Sequence, residues 1–293
     1  PFSNIKMEDH SLLLMFIHTP SFPRLRSDYN HIFSKYNRNQ ESLTNPNNKY
    51  NHLNPNNMPK INFQTENKKS IQPKRNLIIF SMESVEKQSL GKFNKFMPNS
   101  SPFLTNFSQQ GAFIENGIPQ AFSVWTAGSI FTTHCGIPHV ISDMTWKSMK
   151  DKSIAKWPKI PCIGTHFRNV GYNLYFTSSG DIRMMGIMNF FNQFEFKTDD
   201  CSINKFCHDY DFYEYVIERL FNVKIENKTN NKKLIDENPI KEPFVIIINN
   251  EDTHPTFYTD KKCKKNPKYK RIQNALNCFD FSMKRFFHYF EQS

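Results

Sequence analysis

In "SVWTAGSIFTTHCG", residues 123–136, Thr126 stands between a tryptophan and a run of small residues, where the chain reads as the opening of a helix. A hydroxyl in that place has two uses. It caps the helix by accepting a backbone N–H, or it meets an anion drawn to the unpaired amides of the first turn, with Ala127, Gly128 and Ser129 leaving room. The residues alone leave these uses even. Other reactive side chains follow apolar runs: Glu83 after "NLIIFSM", Asp181 after "YNLYFTSSG", and Glu251, Asp252 and His254 after "FVIIINN". One acid behind a strand is commonly a cap or a solvated loop residue. In open parallel sheets, however, sites form beyond the carboxyl ends of the strands, and agreement among several such positions points to one rim.

The elements that would build that rim alternate. "NLIIFSME" (76–83) reads as a buried strand, and "SPFLTNFSQQG" (101–111) as a helix with Ser101 as N-cap, Pro102 in the first turn and Gly111 as the stop. "CIGTHFRNVG" reads as a helix closing on Gly171, "YNLYFTSS" (172–179) as a strand, and "DFYEYVIERLF" (211–221) as a helix with Phe212, Val216 and Leu220 on one face. "EPFVIIINNED" (242–252) is the strongest strand signal, and 271–292 forms a long amphipathic helix through Ile272, Leu276, Phe279, Met283, Phe286 and Phe290. Strand alternating with helix implies an α/β fold with a mostly parallel sheet. Residues 1–74, rich in Asn, Pro and Lys, show no sustained period and are expected to be an extended arm or linker, with the ordered domain at 75–293.

The 293 residues, 38% hydrophobic and 15% aromatic, suffice for a large core. Lys and Arg outnumber Asp and Glu by 38 to 27, a formal charge of +11. The excess is scattered among asparagines, and without a basic helix, zinc-finger spacing or RNA-binding aromatic signature no nucleic-acid partner is expected. The run "LLLMFI" (12–17) falls far short of the ~20 residues of a spanning helix, so no segment of the chain is expected to cross a membrane. Six cysteines without a CxxC leave buried thiols or disulfides rather than a zinc site. Sequons at Asn99, Asn106 and Asn227 suit a lumenal or external enzyme, and an Asn-rich chain also produces them by chance.

Taken in order, "NLIIFSMES", "PFLTNFSQQGAFIENG", "WTAGSIFTTHCGIP", "PCIGTHFRNVGYNLYFTSSGDIRMMGIMNFFNQFEF" and "EPFVIIINNEDTHPTF" resemble the phosphoglycerol transferase and lipoteichoic acid synthase branch of the alkaline phosphatase and sulfatase superfamily. The combination of "WTAGS", "CGIP" and "GD…G…NFF" looks closer to the phosphoglycerol transferases acting on periplasmic glucans. The resemblance implies a three-layer sandwich around a mostly parallel sheet. It also implies a metal-dependent transfer of a phosphoglycerol-type group from a lipid donor, through a covalent threonine, to an acceptor hydroxyl. Carried over by position, Glu83 is a metal ligand, Thr126 the nucleophile and second metal ligand, and Asp181 and His254 contacts to the substrate head group. The implied cofactor is one divalent ion, Mn²⁺ first, with Mg²⁺ or Zn²⁺ also possible. The implied partners are a phospholipid head group or another phosphodiester and a membrane surface reached through segments outside this chain, with the catalytic domain extracytoplasmic or lumenal.

The sequence departs from the family in two places. The Arg and Trp that lipoteichoic acid synthases use after the Asp have no counterpart in "DIRMMGIMNFF", which has Gly186 and Met188 there. The Asp-His pair expected from a later strand is not found, so the chain is expected to be a fragment or its metal site incomplete; Asp9-His10 lies in the arm and is treated as coincidence. Sulfate-ester hydrolysis is the weaker enzymatic reading, because "WTAGSIF" lacks the Cys or Ser and the Arg needed for formylglycine. With water as acceptor the same chemistry would make a phosphodiesterase, and a chain without a working metal site would be a non-catalytic binding module. Cys135 and Cys162 fall in the family-like "HCGIP" and "IPCIG", and two disulfides, Cys135 with Cys162 and Cys263 with Cys278, are expected unless the thiols are buried and free.

Overall fold

A computed structural model describes residues 11–17, 75–95, 97–112, 125–137, 157, 160–201, 207–223, 225 and 240–291. All of them belong to the unit formed by residues 1–20 and 74–293. Asn227, the Asp9-His10 pair and most of the expected arm lie outside the described residues.

Five strands form one sheet among the described residues, in the order β1-β2-β5-β3-β4: β1 (Ser11–Ile17), β2 (Asn76–Met82), β3 (Asn173–Ser178), β4 (Lys197–Asp200) and β5 (Phe244–Asn249). Every pairing is parallel. The helices are α1 (Pro102–Phe107), α2 (Thr126–Cys135), α3 (Ile163–Asn169), α4 (Ile187–Asn192), α5 (Asp209–Leu220) and α6 (Arg271–Phe290). They cover both faces of the sheet, which is the expected three-layer α/β sandwich.

Continuous apolar strands are explained by that sandwiching. Successive side chains of a strand point to opposite faces, so a strand covered on both sides needs bulk at every position. Ile78, Phe80, Met82, Ile246 and Ile248 enter one core with α1, α5 and α6; Leu77, Ile79, Val245 and Ile247 enter the other with α2 and α4. In the first, Phe80 meets Phe286 edge to face at 5.2 Å, and in the second Phe176 stacks on Phe191 at 3.9 Å.

Two elements stand where the periodicities predicted none. β1 lies within the expected arm and pairs along its whole length with β2, Ser11 opposite Asn76 through Ile17 opposite Met82. β4, "KTDD", has no apolar alternation and is held by backbone pairing to β3. The 101–111 helix is also shorter than expected: it ends at Phe107, and residues 108–111 form turns and a bend. Ser101 is its N-cap residue but makes no side-chain cap; its hydroxyl donates to Ser89 O at 3.0 Å. The cap comes instead from α6, where Asp280 accepts the amides of Phe103 (2.9 Å) and Leu104 (2.8 Å). Burial outweighs those two bonds and pushes the Asp280 carboxyl up to about 6.

Cysteines pair as Cys135–Cys162, Cys263–Cys278 and Cys201–Cys207, the last a pair not anticipated from the sequence. No helix among the described residues is long and apolar enough to cross a membrane.

Candidate active site

The parallel registers bring the carboxyl ends of the central strands to one edge: Ser81 lies opposite Asn249, and Asn249 opposite Ser178. The residues that follow these strands, Glu83, Ser179 to Asp181 and Asn250 to His254, therefore share a rim.

Thr126 joins this rim from α2. Trp125, not Thr126, is the N-cap, so the threonine hydroxyl is not spent on capping. It donates instead to Glu83 Oε2 at 2.9 Å. The first intrahelical bond of α2 runs from Ser129 N to Trp125 O (2.8 Å), so the amides of Thr126, Ala127 and Gly128 precede the ladder. Ala127 and Gly128 are buried, and the chain leaves α2 through Gly136, whose φ of 69° is a left-handed conformation that suits glycine.

Glu83 is 8% exposed and held on all sides. Its N–H donates to Asn250 Oδ1 (3.0 Å), its backbone oxygen accepts the Thr253 hydroxyl, and its Oε1 accepts Ser84 Oγ at 3.1 Å. Asn250 and Thr253 are in turn bonded to each other at 2.9 Å. The loop after β5 thus fixes the acid after β2.

Asp209, the first residue of α5, ties the rim together. Its carboxylate accepts Ser179 Oγ (3.1 Å), Asn250 Nδ2 (2.9 Å) and Glu251 N (3.1 Å), one donor from beyond β3 and two from beyond β5. Burial and the neighbouring Asp252 push it up to about 7 despite those bonds. Sequence reasoning missed Asp209 by starting this helix two residues late; an acid in a helix's first turn was the available signal. Glu251 lies against Gly180, where an added Cβ would stand 1.7 Å from Oε1. Burial first, then the charges of Glu83, Asp209 and Asp181, raise its carboxyl to about 7.

Asp181 is half-buried at the same rim, with Arg183 Nε donating to its Oδ1 at 2.6 Å. Asp252 is committed to α5: it accepts Asp209 N at 2.9 Å, and its Oδ1 lies 2.9 Å from His208 Nδ1. The His208 ring stacks on Tyr258 at 3.4 Å, and burial holds the imidazole below its usual value against the pull of Asp260, Asp209 and Asp211. His254 is exposed, and its backbone N–H donates to Glu251 O at 2.9 Å, which sets the loop. Of the four residues singled out for chemistry, the fold joins Glu83 to Thr126 directly, couples Asp181 to Glu83 through Glu251, and leaves His254 at the open edge.

As a donor set, Glu83 Oε2 and Thr126 Oγ1 are hard oxygens of the kind Mg²⁺ or Mn²⁺ takes. They suit one side of a divalent site. No group of three or more His, Cys, Asp or Glu among the described residues has the arrangement to hold a metal ion.

A model of the family described as Sulfatase matches residues 75–293. No curated protein matches. Among solved structures, a protein in the alkaline phosphatase superfamily from Vibrio parahaemolyticus shares 19% identity at a TM-score of 0.52, covering 74% of this chain and 50% of its own. The lipoteichoic acid synthase LtaP from Listeria monocytogenes shares 14% identity at a TM-score of 0.48, covering 74% and 52%. The chain spans about half the length of each, and at 19% identity the likeness to the Vibrio protein is one of fold.

Proposed function

The chain belongs to the sulfatase family, and from that premise we propose that it transfers a phosphodiester-borne group, of the phosphoglycerol type, through a covalent bond to Thr126. The observation that carries this reading is the 2.9 Å hydrogen bond from Thr126 Oγ1 to Glu83 Oε2 at the entrance of α2. A neutral threonine hydroxyl is a weak nucleophile and needs a partner that takes its proton or stabilises its alkoxide. Glu83 is aimed at that proton and is held there by Asn250, Thr253 and Ser84.

In the first step Thr126 Oγ1 bonds to phosphorus, the bond from phosphorus to the lipid oxygen breaks, and the hydroxyl proton passes to Glu83 and on to the departing lipid alkoxide, which leaves as the alcohol. In the second an acceptor hydroxyl attacks the same phosphorus and gives its proton to Glu83, the Oγ1–P bond breaks, and that proton passes to Thr126 Oγ1. Charge builds on the non-bridging oxygens in both steps. The amides of Thr126, Ala127 and Gly128, which precede the helical ladder of α2, are the groups placed to stabilise it, since oriented N–H donors near developing charge cost no reorganisation. Asp181 and His254 are proposed head-group contacts: one acceptor half-buried on the rim, one imidazole exposed at its open edge.

Sulfatase-family domains typically use a divalent metal ion. Glu83 and Thr126 would supply one side of its coordination, Mn²⁺ being the proposed ion, and it would lower the pKa of the bound hydroxyl and draw charge from the phosphoryl oxygens. The donor is proposed to be a glycerophospholipid head group met at a membrane surface, with the domain outside the cytoplasm. Paired cysteines support that location, since disulfides persist in oxidising compartments.

The test is diacylglycerol release from phosphatidylglycerol vesicles with Mn²⁺, together with mass mapping of a phosphoglycerol adduct on the peptide containing Thr126. Thr126→Ala is expected to abolish both with an unchanged circular dichroism spectrum. Undiminished release by that variant would remove Thr126 from the mechanism.

A further inference from the structure

Away from the rim, α1 and α6 enclose a groove of about 350 Å³ lined by Phe103, Phe107 and Phe281, with Asn106, Asn277 and Lys284 at its polar margin. Phe281 is 43% exposed, one of few large apolar side chains so placed among the described residues. An apolar floor with a polar margin suits an amphipathic ring, one face apolar and its edge carrying hydroxyl or amide groups.

One lining residue is itself a point of attachment. Asn106-Phe107-Ser108 is a sequon, and α1 ends within it, at Phe107, passing into the turns of 108–111. The Asn106 side chain is exposed and its amide makes no hydrogen bond among the described residues. Its backbone oxygen accepts the amides of Ser108 and Gln109. The Asn99 sequon differs in place: Asn99 does not line the groove. A second, independent observation is redox. All six cysteines are paired, the state that an oxidising compartment favours, and there the sequons of secreted proteins are modified.

We propose that Asn106 carries an N-linked glycan and that the first N-acetylhexosamine of that glycan lies in the α1–α6 groove, its apolar face on Phe281 and Phe107. The reaction is that of a secretory oligosaccharyl transferase with a lipid-linked pyrophosphate oligosaccharide as donor. The bond from sugar C1 to the pyrophosphate oxygen breaks, the bond from C1 to Asn106 Nδ2 forms, and the displaced Nδ2 proton leaves with the pyrophosphate. Ser108 supplies the hydroxyl the transferase reads, on the chain before its Oγ turns to Thr105 O, where it donates at 2.8 Å after folding. The sugar covers apolar surface that is otherwise open to water, so its attachment stabilises the fold. This inference is independent of the phosphodiester reading, and neither falls with the other.

The full chain is secreted from a eukaryotic cell behind a cleavable leader, and the product is digested with peptide-N-glycosidase and mapped by mass spectrometry. The expected result is conversion of Asn106 to aspartate on digestion, lost in both Asn106→Gln and Ser108→Ala. The native glycosylated protein is expected to melt above its enzymatically deglycosylated form, a difference that Phe281→Ala removes. An unmodified Asn106 peptide from protein glycosylated at Asn99 or Asn227 overturns the site. A glycan on Asn106 whose removal leaves the melting temperature unchanged overturns its place in the groove.

Discussion

Asp280 provides a measurement of how one buried cap responds to pH. Its carboxylate accepts two amides of α1, which favours ionisation, yet burial wins and raises it from 3.8 to about 6. A group whose folded pKa lies above its unfolded value contributes stability that is fully present below the unfolded pKa and is lost as pH rises through the folded one. The gap of about two units corresponds to about 3 kcal/mol at 1.36 kcal/mol per unit. Asp280→Asn is close in shape to the protonated acid and cannot titrate. Wild type is therefore expected to lose about 3 kcal/mol relative to the variant between pH 4 and pH 7, with the difference level outside that window. Among the described residues Lys284 is the charge acting on Asp280 and pulls the other way, so other carboxylates do not blur the comparison. Urea unfolding of both proteins at half-unit pH steps, disulfides intact, measures the difference directly, and contributions from every other group cancel. A flat difference, or a wild type that gains on the variant as pH rises, would refute the reasoning and show that the two amide bonds outweigh burial.

Other perturbations test the rim and its support. Gly91→Ala places a Cβ 2.0 Å from the backbone oxygen of Pro98, which cannot rotate away, and is expected to cost about 1–3 kcal/mol in thermal or urea unfolding. Thr253→Val keeps the shape of a fully buried side chain but strips its bond to Glu83 O and its bond from Asn250, at an expected cost of about 2 kcal/mol in the same assay. Glu83→Gln is expected to weaken Mn²⁺ binding by about tenfold or more in calorimetric titration, since a neutral amide replaces a charged oxygen ligand. Phe80→Ala, at the centre of the α5–α6 core, should cost about 3–5 kcal/mol, measured by urea unfolding.

Much of this protein follows from local pattern. "FVIII" and "LIIF" carry apolar bulk at every position, which a strand covered on both faces demands, and "RIQNALNCFDFSMKRFFHYF" repeats its apolar residues at the helical period. Alternation of such runs implies a parallel sheet, and a parallel sheet places Glu83, Asp181 and Glu251 beyond the same strand ends. What the pattern does not carry is any contact whose partners are remote in sequence and whose own residues look ordinary. β1 is a short apolar run within a polar arm, and β4 is a polar tetrapeptide; each is a strand because a neighbouring strand offers backbone donors and acceptors. Whether Thr126 caps its helix or faces Glu83 stood even until the fold made Trp125 the N-cap and brought an acid from 43 residues away to 2.9 Å. Asp209, bonded to donors from beyond two strands, and Asp280, capping a helix 176 residues before it, belong to the same class. Side-chain periodicity is written in neighbouring residues and is legible there, whereas the pairing of a buried polar group depends on which distant atoms the packed layers bring to it, and only the assembled structure decides that.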